Sequence, residues 1–444
     1  MLSGMMRLAL TRKDAKMSEI NVENLLVGIS GKDVDTLRRL ADELAAIAAL
    51  PIHREKARLW TALNDLDSQR PMVWINEVCW NEMDVNGELT LQTEHPWARG
   101  QECGLRQTLY QWRHFPGDMV VNDYLACPLA IESTGFGISE DVEVVRTDES
   151  SSVVSRHFHK QIRGMEDLDK IKLPVVTHKV EETEARYQAM SSVYAGIMPV
   201  KKVGQSHVWF TPWDYLIRWW GIEDAMTDMY DRPELVHAAV DRMVDGWMVE
   251  MDQFDAQKLL ALDNNNTRVG SGGYGYVSSL PGGEYQSTHV KPHNMWGCSN
   301  AQIFSEVSPE MHWEFAIQHD LRWLKRWGLI YYGCCEQLDG KAEILKCIPN
   351  LRKVSISPWC HSKRAVAAYG DRVVLSRKPS PAILAEDHWH PERARADIVE
   401  FMDATGGACH VELIMKDIST VRYQPQRLWE WSQIAMEVAR QYGR

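Results

Sequence analysis

Long hydrophobic runs are missing from this chain of 444 residues. No apolar stretch approaches the roughly 20 residues that cross a bilayer, so the sequence predicts no transmembrane helix. The first 17 residues, MLSGMMRLALTRKDAKM, lack the apolar stretch and the small-residue cleavage site of a signal peptide. We therefore expect a cytoplasmic protein with no membrane partner.

An excess of positive charge is also missing. The net charge is −12, and Lys and Arg form no stripe along the sequence. Because a phosphate backbone needs a clustered basic surface, we expect no nucleic-acid partner. The nine cysteines are scattered and do not form the pattern of a disulfide framework, which fits a reducing compartment.

Nucleotide-binding motifs are absent as well. The glycine-rich segment GGYGY at 272–276 has neither the Walker nor the Rossmann spacing, so it predicts no phosphate-binding loop. Hydrophobic residues make up 45% of the chain and charged residues 25%, which is typical of a globular protein. No internal repeat or low-complexity linker interrupts it.

The amino-terminal part of the chain reads as helical. Apolar residues recur there at helical spacing, at Leu37, Leu40, Leu44, Ile47 and Leu50. We interpret residues 1–66 as a helical extension and residues 67–444 as one large domain.

Short apolar runs then alternate with helical stretches. The predicted strands are 72–78, 119–125, 200–209, 259–262, 329–334, 353–357, 372–375 and 409–415. Eight strands, each followed by a helix, are the pattern of a (β/α)8 barrel of the TIM type. Long insertions at 132–199 and 263–300 follow strands, so we expect them at the carboxyl-end face, where barrels place their active sites.

The sharpest local signal is Gly333-Cys334-Cys335-Glu336, at the end of a predicted strand. Thiolates and carboxylates are suitable zinc ligands. Adjacent residues of an extended chain point to opposite sides, so we expect one cysteine to face the barrel axis and the other to pack outward. The alternative is a pair of buried thiols beside a capping glutamate.

A further thiol, Cys409, lies in GGACHVE near the last predicted strand. Closure of a barrel brings distant strands together, so Cys409 could meet Cys335 and Glu336. The alternative is a small thiol in a tight turn. Glu77, near the end of the first strand, is a candidate general acid or base, or a substrate anchor. It could equally be a solvated or salt-bridged carboxylate.

Other polar and aromatic residues fall near strand ends. His207 is a candidate proton carrier, since imidazole titrates near neutral pH. The candidate substrate-binding residues are Trp80, Asn265, His293 and Trp296. For each of them a structural role is the alternative: core packing for the tryptophans and a polar turn for Asn265.

Five segments in the same order resemble the uroporphyrinogen decarboxylase superfamily from about residue 55 to the C-terminus. They are RPMVWINE, GIEDAMTDMYDRPELVHAAVDRM, NAQIFSEVSPEMHWEF, GCCEQLDGKAEILKCIPNLRKVSISPW and ACHVELIMKDISTVRYQPQRLWEW. True decarboxylases of this superfamily carry an arginine-rich motif after the first strand. Here that stretch is NEVCWNEMD, with Glu77 and Glu82, and it is followed by no arginine until Arg99.

The chain looks more like the cobalamin-dependent methyltransferases of that superfamily. The resemblance implies a zinc ion held by a thiol pattern, here Cys334 or Cys335 with Glu336 and Cys409; the histidine of the family pattern is absent. It also implies a corrinoid, which would arrive on a partner protein because the chain has no cobalamin-binding signature.

The sequence therefore predicts a zinc-assisted transfer of a methyl group from a small methylated substrate, of the methoxy or methylamine type, to a corrinoid protein. Decarboxylation of another acid and a non-catalytic binding barrel are the alternatives. A homodimer is left open beside a monomer.

Overall fold

The computed structural model describes residues 25–145 and 155–443. Its strands are β1 (Met72–Ile75), β2 (Leu125–Pro128), β3 (Ile131–Ser133), β4 (Val142–Val145), β5 (Ser155–Phe158), β6 (Val176–His178), β7 (Val200–Val203), β8 (Trp296–Ser299), β9 (Leu329–Tyr332), β10 (Leu351–Ile356), β11 (Val374–Arg377) and β12 (His410–Met415).

Helices lie between most of the strands. They are α1 (Gly31–Ala48), α2 (Ile52–Asn64), α3 (Pro96–His114), α4 (Val180–Val193), α5 (Pro212–Trp220), α6 (Ile222–Asp231), α7 (Pro233–Ala256), α8 (Pro309–His312), α9 (Gln318–Leu324), α10 (Ala342–Leu345), α11 (Ser362–Tyr369), α12 (Ala382–Ala385), α13 (Pro391–Thr405) and α14 (Gln426–Gln441). Short 3₁₀ turns and one π-helical turn, Trp313–Ile317, complete the set.

A six-stranded parallel sheet forms the centre, in the order β1-β12-β11-β10-β9-β8. All of its strands are short, and five are buried on every residue, as expected for parallel strands covered by helices on their outer side. The predicted mixed α/β architecture with parallel strands is confirmed. Because all six strands run the same way, the residues that follow them gather at one edge.

Besides the central sheet there are three two-stranded sheets: parallel β2–β7, antiparallel β3–β6 and antiparallel β4–β5. A single parallel bridge joins Gln205 to Leu260. Within the described residues no strand pairing links these sheets to β1 or β8, the edges of the central sheet. Closure into a complete barrel therefore stays a prediction.

The strand prediction missed β8, because Trp296–Ser299 was assigned to a loop. The predicted strand at 119–125 is displaced to β2, and the one at 200–209 ends at Val203. The run 259–262 contributes one bridge rather than a strand. The antiparallel pairs β3–β6 and β4–β5 occupy the first predicted insertion.

Charged groups, rather than apolar ones, fill part of the space inside the sheet. Lys353 Nζ lies 2.9 Å from Glu412 Oε2, and both side chains are fully buried. Ser376 Oγ donates to Glu412 Oε1 at 2.6 Å. The segment GGYGY passes directly beside this pair: a Cβ on Gly272 would lie 2.4 Å from Glu412 Oε1, and one on Gly273 would lie 2.4 Å from the Trp60 ring. These glycines allow close packing.

The amino-terminal helices pack on this body. Ser30 and Asp33 form a capping box at the start of α1. Leu37, Leu40 and Leu44 of this helix are buried, whereas Leu50 lies beyond its end and is exposed. Trp60 of α2 is fully buried and donates its Nε1 proton to the carbonyl of Asp118. Among the described residues, no helix combines the length and the apolar character needed to cross a membrane.

Candidate functional site

The candidate site lies where three parallel strands end. Cys334 and Cys335 follow β9, Lys416 and Asp417 follow β12, and Glu77 follows β1. These strands are not consecutive in sequence, but β12 pairs with β1 in register, so their carboxyl ends meet at one edge of the sheet. Parallel α/β folds bind ligands at this edge.

The two adjacent thiols face the same point. Cys334 Sγ lies 3.7 Å from Cys335 Sγ, so the expectation that one thiol turns outward is wrong. The reason is Gly333, whose φ of +99° ends the extended strand before the cysteines are reached. A side chain at position 333 would also place its Cβ 2.5 Å from Leu338 Cδ1. Residues 334–335 thus lie in a bend, where the alternation of a strand no longer applies.

A lysine lies among these thiols. Lys416 Nζ is 3.3 Å from Cys334 Sγ, 3.5 Å from Cys335 Sγ and 2.5 Å from Asp417 Oδ2. Cys335 Sγ is also 3.6 Å from Asp417 Oδ2. We call Cys334, Cys335, Lys416 and Asp417 the thiol–lysine cluster.

The charges of this cluster follow from its contacts. The hydrogen bond from Cys335, with the Lys416 ammonium, lowers the pKa of the Cys334 thiol. The same hydrogen bond and burial raise the pKa of Cys335. Burial acts to lower the pKa of Lys416, but the thiols and Asp417 outweigh it and raise that pKa well above its usual value. The cluster therefore favours a Cys334 thiolate beside an ammonium.

Both carboxylate oxygens of Glu336 are held by backbone amides. Its Oε2 accepts a hydrogen bond from the Cys334 amide at 2.7 Å, its Oε1 accepts one from the Ala301 amide at 3.0 Å, and the side chain is fully buried. The carboxylate holds the loop after β9 against the loop after β8. The prediction of a zinc ligand at Glu336 is corrected on this ground.

Cys409 is likewise not part of the cluster. It precedes β12 and belongs to the main apolar core, whereas Lys416 follows that strand. Seven residues of extended chain separate the two, which corresponds to about 20 Å. Cys409 thus lies at the opposite end of the sheet from Cys334 and Cys335, and its prediction as a ligand is wrong.

The predicted four-residue zinc site therefore does not fit this structure. Two of its members contribute no free donor atom at the strand ends, and the Lys416 ammonium occupies the space beside the other two. Across residues 25–145 and 155–443, no group of three or more His, Cys, Asp and Glu side chains is arranged to hold a metal ion.

Glu77, predicted as an acid, base or anchor, does lie at this edge. Its Oε2 accepts a hydrogen bond from the Asp417 amide at 3.0 Å. Its Oε1 lies 3.5 Å from a guanidinium nitrogen of Arg268. Glu77 thus connects Arg268 to the thiol–lysine cluster.

His207 lies in the same region, beyond the end of β7. Its Nε2 is 3.9 Å from Cys298 Sγ, at the carboxyl end of β8, and its ring is 6.3 Å from that of Trp209. Burial, with the nearby charge of Arg268, lowers the pKa of His207 to about 3. The imidazole is therefore neutral at physiological pH, and its buried Nδ1 has no hydrogen-bond partner within the described part of the chain.

The four predicted substrate-binding residues have other surroundings. Trp80 packs its ring against Tyr110, with the centroids 5.9 Å apart. Asn265 is used in a turn, where its Oδ1 accepts hydrogen bonds from Thr267. His293 is exposed and precedes β8, at the opposite end of the sheet. Trp296 is fully buried within β8. These predictions are not supported by the geometry, because each residue has a structural role or the wrong location.

A cavity of about 540 Å³ opens beside the site. Its lining residues come from α3, from the segment 119–126, from Trp74 and Asn76 at the end of β1, and from the loop 266–274. Its lining includes Trp74, Asn76, Asn266, Arg268 and Tyr274. Through Arg268 and Glu77 the cavity is connected to the thiol–lysine cluster. We call it the lateral cavity.

Three residues of the candidate site were missed from the sequence. Lys416 and Asp417 directly follow the apolar run of the last strand, a position that could have identified them. Arg268 lies in a long loop, where no local pattern distinguishes it. Its guanidinium is held by the carbonyl of Gly270 and lies over the ring of Trp209.

No family model matches this chain, and no curated protein matches it. Among solved structures, a methyltransferase from Methanosarcina mazei is similar in fold, at 10% sequence identity. The similarity covers 87% of this chain and 98% of that chain, with a TM-score of 0.49. The function is therefore argued from the residues of this chain.

Proposed function

We propose that this chain catalyses the transfer of a methyl group from a small methylated substrate to a corrinoid carrier protein. The observation that supports this is the Lys416 ammonium, which lies within 3.5 Å of two thiols and a carboxylate at the strand ends. An ammonium there can donate a hydrogen bond to a heteroatom on which negative charge develops as its bond to the methyl group breaks. Lys416 thus takes the role expected of zinc.

The surrounding residues position this charge. Asp417 holds the ammonium at 2.5 Å, and Glu77 holds the Asp417 amide at 3.0 Å. The side chains around Lys416 are largely buried, so little reorganisation accompanies the reaction. In this proposal Glu77 is a positioning residue, and His207 is an uncharged side chain that lines the site.

The corrinoid, when bound on its carrier, supplies the nucleophile that accepts the methyl group. The chain's own part is to orient the methylated substrate and to bind the heteroatom that leaves. Cys334, with its lowered pKa, keeps Lys416 charged and in place.

Decarboxylation is a second candidate, favoured by one observation. Arg268 places a cation in the lateral cavity, and a cation is what holds the carboxylate of an acid substrate. The two reactions give different products, since one releases carbon dioxide and the other methylates the carrier.

The test is an assay with the purified chain, a reduced corrinoid protein and a set of methoxylated and N-methylated compounds, followed by the change in cobalt absorption. We expect transfer by the native chain and a loss of about 100-fold or more in Lys416→Met. Cys409→Ala, at the far end of the sheet, should retain full activity.

Two results would overturn this scheme. Full activity in Lys416→Met would remove Lys416 from the reaction, and release of carbon dioxide without methyl transfer would identify a decarboxylase. Metal analysis of the same samples addresses zinc directly. If the native chain holds one zinc ion and Cys334→Ser holds none, zinc and not Lys416 would be the cation that binds the leaving heteroatom.

A further inference from the structure

We infer that a second cavity of this chain binds a small organic ammonium ion. The cavity has a volume of about 510 Å³, which is in the range of small-molecule sites. Its lining comes from the segment 133–139 at the end of β3, from α5 and from α7. None of the lining residues belongs to the thiol–lysine cluster or to the lateral cavity, so the inference does not depend on the proposed reaction. We call it the aromatic cavity.

Four aromatic rings line this cavity: those of Phe136, Tyr215, Trp219 and Trp247. The ring centroid of Phe136 lies 5.3 Å from that of Tyr215, 6.4 Å from that of Trp219 and 5.4 Å from that of Trp247. The three pairs are inclined at 65°, 62° and 61°, so the rings are not stacked on one another. Because the face of an aromatic ring carries partial negative charge, rings that are inclined in this way can surround a cation.

The one charged side chain in the lining is a carboxylate, that of Glu250 on α7. Its Oε1 accepts a hydrogen bond from Ser133 Oγ at 2.5 Å. Burial raises the pKa of Glu250 and this hydrogen bond lowers it, and no cation of the described residues contributes. A carboxylate that is withdrawn from water without a counter-ion is destabilised. An ammonium ion in the cavity would supply the missing positive charge.

The cations of the chain itself leave most of the aromatic surface free. The Arg218 guanidinium lies 5.4 Å from the ring centroid of Tyr215, and it is paired with Glu140 at 2.9 Å. Within the described part of the chain, no cation lies over the other three rings. A neutral ligand would leave Glu250 without a counter-ion, and an anionic ligand would be repelled by it. The lining therefore favours a cation from outside the chain.

Calorimetric titration of the purified full chain tests the inference with choline and 3,3-dimethyl-1-butanol. The two compounds have the same shape, but a carbon atom takes the place of the charged nitrogen in the second. We expect choline to bind about 10-fold more tightly or better, because the rings and the carboxylate both act on its charge. Lys416→Met should bind choline as the native chain does, because Lys416 does not line this cavity.

Two variants examine the carboxylate. Glu250→Gln removes the charge with little change of shape, and it should weaken choline by about 10-fold while leaving 3,3-dimethyl-1-butanol unchanged. The matched control is Glu234→Gln, the same substitution at an exposed position of α7 outside the cavity, which should have no effect. Ser133→Lys changes an exposed residue and brings an ammonium of the chain itself to Glu250, so it should abolish choline binding.

Three results would overturn the inference. Equal affinity of the native chain for the two compounds would show a cavity that selects shape and not charge. Unchanged choline binding in both Glu250→Gln and Ser133→Lys, with urea unfolding showing that both variants are folded, would place the ligand elsewhere. Loss of choline binding in Lys416→Met would assign the ion to the thiol–lysine cluster instead of the aromatic cavity.

Discussion

Replacement of Lys416 by methionine should raise the pKa of the Cys334 thiol, because it removes the ammonium that stabilises the thiolate. The ammonium lies 3.3 Å from the sulfur, and both side chains are almost fully buried. At an effective dielectric constant of about 20, unit charges at this separation interact by about 5 kcal/mol. The hydrogen bond from Cys335, the larger cause of the low pKa, persists in the variant, so part of the lowering should remain.

The pH dependence of alkylation by iodoacetamide measures this shift, with each cysteine-containing peptide quantified by mass spectrometry. Cys347 is exposed and serves as an internal reference whose midpoint should not move. Lys416→Arg, which retains a positive charge, should keep the midpoint of Cys334 low. A midpoint within about 0.5 unit of the native value in Lys416→Met would refute the reasoning that the ammonium governs this thiol.

Two further predictions concern the buried charges inside the sheet. Lys353→Met should lower the free energy of unfolding in urea by about 3–5 kcal/mol, because it leaves Glu412 buried without its partner. The double variant with Glu412→Leu should recover most of that loss, and equal stability of the single variant and the native chain would contradict the pairing. Burial lowers the pKa of Lys378 from 10.5 to about 7, so the unfolded chain binds more protons between these pH values. Stability should therefore increase as pH rises from about 7, and Lys378→Met should flatten this rise. If the urea midpoints of the native chain and of Lys378→Met change equally between pH 7 and pH 9, Lys378 is not the source of this pH dependence.

The parallel α/β architecture was predictable because its signals are local and repeated. Apolar runs at 329–334, 353–357 and 409–415 coincide with β9, β10 and β12. Such runs identify buried parallel strands wherever both faces are covered. The same signals predicted the edge of the sheet at which the site lies, because the ends of the strands define that edge.

Strand β8 was not predictable in the same way. Its four residues, WGCS, contain no β-branched side chain and follow a loop rich in glycine and asparagine. What makes it a strand is its pairing with β9, from Trp296↔Leu329 to Ser299↔Tyr332. Pairing between segments about 33 residues apart leaves no trace in local composition.

The site itself was predicted in part. Cys334 and Cys335 are at its centre, but the direction of their side chains depends on the backbone of Gly333, which composition does not reveal. Cys409 begins the predicted strand 409–415, and barrel closure was expected to bring it to Cys335 and Glu336. Closure brings strands together side by side, but it does not move a residue from the amino end of a strand to the carboxyl end. Lys416 was missed because a lysine after an apolar run ordinarily faces solvent.

β1 is paired on one side only within the described chain, and the lateral cavity lies against its unpaired side. In the proposed reaction, a small donor that enters there would not cover the rim formed by the strand ends, so a carrier protein could bind to that rim while the donor is in place. Either reactant could then bind first. For that reaction we expect double-reciprocal plots of rate against donor concentration to intersect when the carrier concentration is varied, instead of running parallel.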